Sequence, residues 1–102
     1  MSKLIKVAVT NDVPPGQAIV FEAEGQRIAL FNVNGTYYAL DDTCPHAGGP
    51  LSEGRVEGDQ VTCPLHGASF NLKTGEVLSP PAFEDVKTYK VVMEGDDIKV
   101  EI

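Results

Sequence analysis

The chain has 102 residues, with 8 Lys and Arg against 15 Asp and Glu, for a formal charge of −7. That length suits one domain with one modest core. The acidic balance argues against nucleic acid or an anionic membrane surface as partner, since both need a basic face, and two Cys are too few for a disulfide-built secreted fold of this size.

In chain order, residues 4–9 and 18–23 read as strands with alternating apolar and polar side chains. Residues 27–33 form an apolar run, followed by Asn34-Gly35 and then residues 36–40. Asn-Gly between two apolar runs is the strongest short-range hairpin signal, because both turn positions need positive φ. Glu24-Gly25 marks a similar turn between the second and third strands. Near the other end, residues 86–93 and 97–102 flank Glu94-Gly95-Asp96, which reads as a further hairpin. No window sustains a 3.6-residue period, so little helix is expected. Two lysines interrupt the N-terminal apolar residues and no signal-peptide core follows. No apolar run approaches the roughly 20 residues of a membrane span. The expectation is a soluble cytoplasmic protein, in which thiols stay reduced.

The middle of the chain differs. Residues 43–82 hold Pro45, Pro50, Pro64, Pro80 and Pro81, six of the ten glycines, both cysteines and both histidines. Such density of Gly and Pro predicts loops and tight turns rather than long strands. The expected architecture is one all-β domain spanning residues 1–102. Its antiparallel β-sandwich base comes from about residues 1–42 and 83–102, and a loop-rich part at about 43–82 is seated on it.

The chemistry-bearing residues are Cys44, His46, Cys63 and His66, in the pattern Cys-x-His, sixteen residues, Cys-x-x-His. Several ordinary readings compete. Two buried structural cysteines with surface histidines would leave the repeated pairing unexplained. A Cys44–Cys63 disulfide conflicts with a reducing compartment. A structural Cys₂His₂ zinc site usually pairs ligands of one type within each loop. A Cys–His catalytic dyad needs only one of each. A two-iron cluster explains the pairing directly: one iron takes two thiolates and the other two imidazoles, so each loop supplies one ligand to each iron.

These residues lie in Cys44-Pro45-His46-Ala47-Gly48-Gly49-Pro50-Leu51 and Cys63-Pro64-Leu65-His66-Gly67, with Phe70-Asn71-Leu72-Lys73-Thr74-Gly75 and Pro80-Pro81 further on. In all of these the sequence resembles the Rieske iron–sulfur proteins, and among them the small soluble Rieske-type ferredoxins. The resemblance covers essentially the whole chain. It implies the Rieske iron–sulfur fold, with the two ligand loops at the tip of a β-sandwich and the Pro80-Pro81 loop covering a [2Fe–2S] cluster. Cys44 and Cys63 would hold the inner iron, and His46 and His66 the outer, partly exposed one.

Charge counting shows what the histidines contribute. Two ferric ions, two sulfides and two thiolates sum to zero, so imidazole ligation leaves a neutral oxidised centre that accepts an electron more easily than an all-thiolate one. High-potential members resemble one another in an extra cysteine pair, a Ser two residues after the second His and a Tyr two residues beyond that. Here the matching positions are Ala68 and Phe70, neither with a hydroxyl, and Ser69 is displaced by one. The resemblance therefore implies a potential near the low end of the Rieske span.

Other features have plainer readings. Gly48, Gly49 and Gly67 suit close backbone approach to a cluster rather than a phosphate cradle, because no nucleotide-binding fingerprint accompanies them. Pro45, Leu51, Leu65, Pro80 and Pro81 are candidates for an apolar collar around the imidazoles. Asp41, Asp42, Glu53, Glu57 and Asp59 are candidates for steering a basic partner face. The tyrosines and Phe21 and Phe31 read as strand core or cross-strand pairs.

The resemblance implies a monomeric one-electron carrier rather than an enzyme. It would pass electrons from a flavin-dependent ferredoxin reductase to a terminal oxygenase, often of an aromatic-ring-hydroxylating dioxygenase system. Two alternatives stay open: a Rieske-like small subunit of an assimilatory nitrite reductase, and a non-redox metal-binding module.

Overall fold

The structure, a computed structural model, describes residues 3–23, 25–42, 50–64, 68–79 and 85–102. Among these, ten strands build two antiparallel sheets. In the larger, β1 (Leu4–Val9) pairs with β10 (Asp97–Glu101), which pairs with β9 (Thr88–Glu94). Strand β9 joins β4 (Thr36–Asp41) through Ala39↔Tyr89 and Leu40↔Thr88, and β4 continues to β3 (Gln26–Val33) and β2 (Ala18–Ala23). The smaller sheet runs β5 (Arg55–Glu57), β6 (Gln60–Thr62), β7 (Ser69–Asn71) and β8 (Val77–Ser79). Short 3₁₀ turns occupy Thr10–Asp12 and Leu51–Glu53. The chain is thus all-β and antiparallel, as the patterning predicts.

Strand β3 shows why its sequence reads as it does. Ile28, Ala29, Leu30 and Phe31 are all buried, so the run is continuously apolar rather than alternating. Ile28 and Leu30 pack with Ala8, Val13, Ile98 and Val100, which draws both halves of the larger sheet into one core. Ala29 and Phe31 face the other way and pack with Leu51, Val61, Phe70 and Leu72, beneath the smaller sheet. The alternation expected along β1 is broken, because its register against β10 slips between Lys6 and Ala8.

The hairpins follow local chemistry. Asn34 (φ 53°) and Gly35 (φ 91°) both take positive φ, which is the two-residue turn the Asn-Gly pair predicts. Asn32 anchors that turn: its buried amide donates to the Val13 carbonyl at 2.7 Å and accepts the Gly35 N–H at 2.8 Å. The Glu94-Gly95-Asp96 turn also forms, with Gly95 at φ 60° and Glu94 paired to Asp97. The predicted loop-rich middle contains four strands of three residues each, in addition to its turns.

Candidate metal centre

Of the four predicted ligands, Cys63 lies among the described residues, while Cys44, His46 and His66 lie outside them. So do Gly48, Gly49 and Gly67, and Pro45, Leu65, Pro80 and Pro81 of the proposed collar. Among the described residues no other His, Cys, Asp or Glu groups with Cys63 as a metal site.

Cys63 follows β6 directly. Its register continues the β6–β7 ladder, where Val61 faces Phe70 and Thr62 faces Ser69. The Cys63 N–H donates to the Ala68 carbonyl at 2.7 Å, which holds together the two ends of the segment between them. Because side chains alternate along a strand, Val61, Cys63, Ala68 and Phe70 share the inner face and are all buried. Cys63 is a free thiol, 2 % exposed. A buried thiol at the end of β6 suits a metal thiolate better than surface chemistry. With one more thiol and two imidazoles it would complete the Cys₂His₂ donor set of a Rieske cluster.

Ser69 lies on the opposite face. Its hydroxyl sits 3.4 Å from the Thr62 hydroxyl, across the ladder from which Cys63 turns inward. The inner-face positions near the Cys63 sulfur are therefore filled by Ala68 and Phe70, which have no hydrogen to donate.

The segment carrying Cys44 and His46 leaves the described structure after Asp42 and returns at Pro50. Asp42 ties its two ends together. Its carbonyl accepts the Leu51 N–H at 2.6 Å, its own N–H donates to the Arg27 carbonyl at 3.0 Å, and its Oδ1 accepts the Ser52 N–H at 2.8 Å. The second carboxylate oxygen faces Arg27 Nη2 at 3.5 Å. The Asp42 side chain is 2 % exposed, so this carboxylate is a structural group rather than a free steering charge. Asp41 is committed too, accepting the Tyr89 hydroxyl at 2.6 Å. Burial and then this bond push the Tyr89 phenol well above its usual pKa. Glu57 and Asp59 are exposed but pair with Arg55 and Lys73. Leu51 is fully buried in the core beside Cys63, so it supports the site from below instead of forming part of a collar.

A third segment is framed by the Phe70–Gly75 motif. The Asn71 side-chain oxygen accepts the N–H groups of Lys73 (2.8 Å) and Thr74 (3.2 Å), making a turn. Gly75 then holds φ 78°, and a Cβ there would lie 2.0 Å from the Val86 carbonyl oxygen. The Val86 N–H donates to the Gly75 carbonyl at 2.8 Å, and Asp85 accepts the Val77 N–H at 2.9 Å. These bonds join the ends of the segment that contains Pro80 and Pro81.

Comparison with known proteins agrees with this arrangement. The profile of the Rieske [2Fe-2S] domain matches residues 3–90. The 3-phenylpropionate/cinnamic acid dioxygenase ferredoxin subunit of Escherichia coli (strain K12) is 48 % identical over 92 residues, covering 89 % of this chain and 86 % of the relative. The biphenyl dioxygenase ferredoxin subunit of Pseudomonas sp. (strain KKS102) is 41 % identical over 97 residues, covering 94 % and 89 %. A ferredoxin solved in complex with the reduced oxygenase of carbazole 1,9a-dioxygenase superposes with a TM-score of 0.88 at 33 % identity, covering 95 % and 91 %. A nitrite reductase (NADPH) small subunit shares the fold at 27 % identity with a TM-score of 0.84, covering 96 % and 97 %. The profile match along 3–90 and the two ferredoxin relatives at 48 % and 41 % identity, on this two-sheet antiparallel frame, place the chain in the Rieske [2Fe–2S] family, holding one Rieske-type cluster.

Proposed function

We propose that this chain is a one-electron carrier that takes electrons from a flavin-dependent ferredoxin reductase. It delivers them to the terminal oxygenase of an aromatic-ring-hydroxylating dioxygenase system in the cytoplasm. The observation that carries the reading is its 48 % and 41 % identity, over about nine-tenths of the chain, to two dioxygenase ferredoxin subunits. The solved complex of a similar ferredoxin with an oxygenase supports the acceptor. No helix of the described residues is long and apolar enough to cross a membrane.

In this reading Cys44 and Cys63 hold one iron, and His46 and His66 the other. When bound, the cluster supplies a site for a single electron. The protein's own residues do the rest. The buried setting of Cys63 and the Ala68–Phe70 face keep water from one thiolate. Asp42 and Leu51 join the ends of the first ligand segment. The division into a base of about residues 1–42 and 83–102 and a cluster-binding part of about 43–82 belongs to the same proposal. It draws support from the larger sheet, which is built from both ends of the chain.

With Ala68 and Phe70 beside Cys63, the midpoint potential is expected on the order of −150 mV. A value above about +100 mV would contradict this reading of the sulfur environment. The decisive composition test is metal and acid-labile sulfide analysis with EPR of the reduced protein. Two irons, two sulfides and a rhombic signal per chain are expected, and zinc without sulfide would end the proposal. The likeness to a nitrite reductase small subunit supports a second reading, as a fixed subunit of that enzyme. Purification from the native source separates the two. A free small protein favours the carrier, and a stoichiometric complex with a large reductase chain favours the subunit.

A further inference from the structure

We propose that Arg27 and Asp42 are positioning residues that tune the reduction potential of the metal centre as an ion pair. Asp42 ties down the end of the first ligand segment, and Arg27 cancels the charge that this fastening brings with it. The proposal rests on the reading of Cys44 as an iron ligand.

The argument begins with a charge that the fold has no local need to bury. The Ser52 N–H, in the first turn of Leu51–Glu53, needs only one side-chain oxygen as acceptor, and a neutral Asn offers that as Asp does. The chain uses Asp, and its side chain is only 2 % exposed. A buried carboxylate is costly unless it is both paired and hydrogen-bonded. Asp42 is both: one oxygen takes the Ser52 N–H and the other faces the Arg27 guanidinium at 3.5 Å. The pairing is asymmetric, because the Arg27 side chain is 57 % exposed. One charge of the pair is therefore inside the protein and the other at its surface.

The pair also stands close to the site by covalent necessity. Asp42 precedes Cys44 by two residues, so their Cα atoms are at most about 7.6 Å apart. A fixed charge in partly desolvated surroundings, two residues along the chain from a ligand, acts through space on a group that gains a negative charge on reduction. An unpaired Asp42 carboxylate opposes the incoming electron, and the Arg27 cation offsets it. Arg27 also holds the Asp42 main chain, through its carbonyl, at the edge of the β3–β4 ladder. Loss of the Arg27 side chain leaves this backbone bond in place and removes only the charge.

The test compares midpoint potentials of iron-loaded wild type, Arg27→Gln, Arg27→Lys, Asp42→Asn and the Arg27→Gln/Asp42→Asn double variant, at low and high salt. Arg27→Gln is expected to lower the midpoint at low salt by at least threefold in the one-electron equilibrium constant, or about 28 mV at 59 mV per tenfold. Asp42→Asn is expected to raise it, Arg27→Lys to stay near wild type, and the double variant to return toward it. The Arg27→Gln shift should shrink at high salt, since the guanidinium is exposed. A merely structural role would move both single variants in the same direction and would not respond to salt. Asp42→Asn should keep its full iron, because the amide oxygen can still accept the Ser52 N–H, and loss of iron from it would overturn the claim that the charge serves tuning rather than fastening. An Arg27→Gln protein that carries its cluster with an unmoved midpoint overturns the proposal. Wild-type protein with no two-iron cluster would instead overturn the reading of the metal centre itself.

Discussion

At the foot of the first ligand segment, Asp42 commits its N–H, its carbonyl and both carboxylate oxygens to Arg27, Leu51 and Ser52. At the foot of the second, one backbone bond from Cys63 to Ala68 holds the two ends of the segment together, and the side chains behind it are Val61, Ala68 and Phe70. One foot is polar and carries a charge pair that reaches the surface. The other is apolar and sealed. The difference suggests a division of labour: the charged foot is where the site's electrostatics are adjustable, and the apolar foot is where its shape is held.

Substitutions can break or sharpen this comparison. The largest effect belongs to Cys63→Ala, which removes a thiolate ligand from the sealed foot. Iron and sulfide analysis should find the chain without its cluster, and a fully loaded variant would mean Cys63 is not a ligand. Next comes Phe70→Ala, which empties a fully buried site in the core that contains Cys63. Chemical denaturation of the loaded protein should show a loss of about 3–5 kcal/mol. A loss below about 1 kcal/mol would mean the apolar foot is not held by packing. Asp42→Ala, at the charged foot, removes the acceptor of the Ser52 N–H and one member of an ion pair whose other member is exposed. It should cost less, about 1–2 kcal/mol by the same measurement. If it cost more than Phe70→Ala, the contrast between the feet would be reversed.

The smallest effect is expected for Tyr89→Phe, which deletes the hydroxyl bonded to Asp41 and should cost about 1 kcal/mol at neutral pH. Its pH dependence has a definite sign. The folded phenol's pKa is raised above the ordinary value of 10.0. The wild-type advantage over Tyr89→Phe is therefore full below pH 10 and declines as pH rises beyond it. An advantage that grew above pH 10 would contradict the buried hydrogen bond.

The parts that were legible in the sequence carry their cause locally. Asn34-Gly35 forms the turn its positive φ preference demands, and the unbroken apolar run of β3 announces a strand buried on both faces. The ligand pattern is legible as chemistry, and of its four residues the structure describes Cys63, a buried free thiol. The β5–β6 hairpin is not legible from periodicity, although it turns on Glu57-Gly58-Asp59, the same tripeptide that marks the β9–β10 turn. In both, the Gly takes positive φ, 58° at Gly58 and 60° at Gly95. Strands of three residues are too short to show a period, so the tripeptide alone does not announce them. The role of Asp42 was not legible, because it depends on Arg27, fifteen positions earlier and on another strand. Read along the chain, Asp41-Asp42 looks like ordinary acidic surface. Only the folded arrangement separates them into a carboxylate facing Tyr89 and one facing Arg27.

Leu30 and Phe31 are adjacent on one strand and both essentially inaccessible to solvent, yet they belong to different cores. The core of Phe31 includes Cys63, and that of Leu30 does not. Strand β3 therefore works as a partition wall. A methylene removed at Leu30 is felt by the joined halves of the larger sheet, and one removed at Phe31 is felt at the seat of the thiolate. Cross-talk between the stability of the fold and the holding of the metal is routed through alternate residues of a single strand. Sequence variation can then relax one of these properties while leaving the other intact.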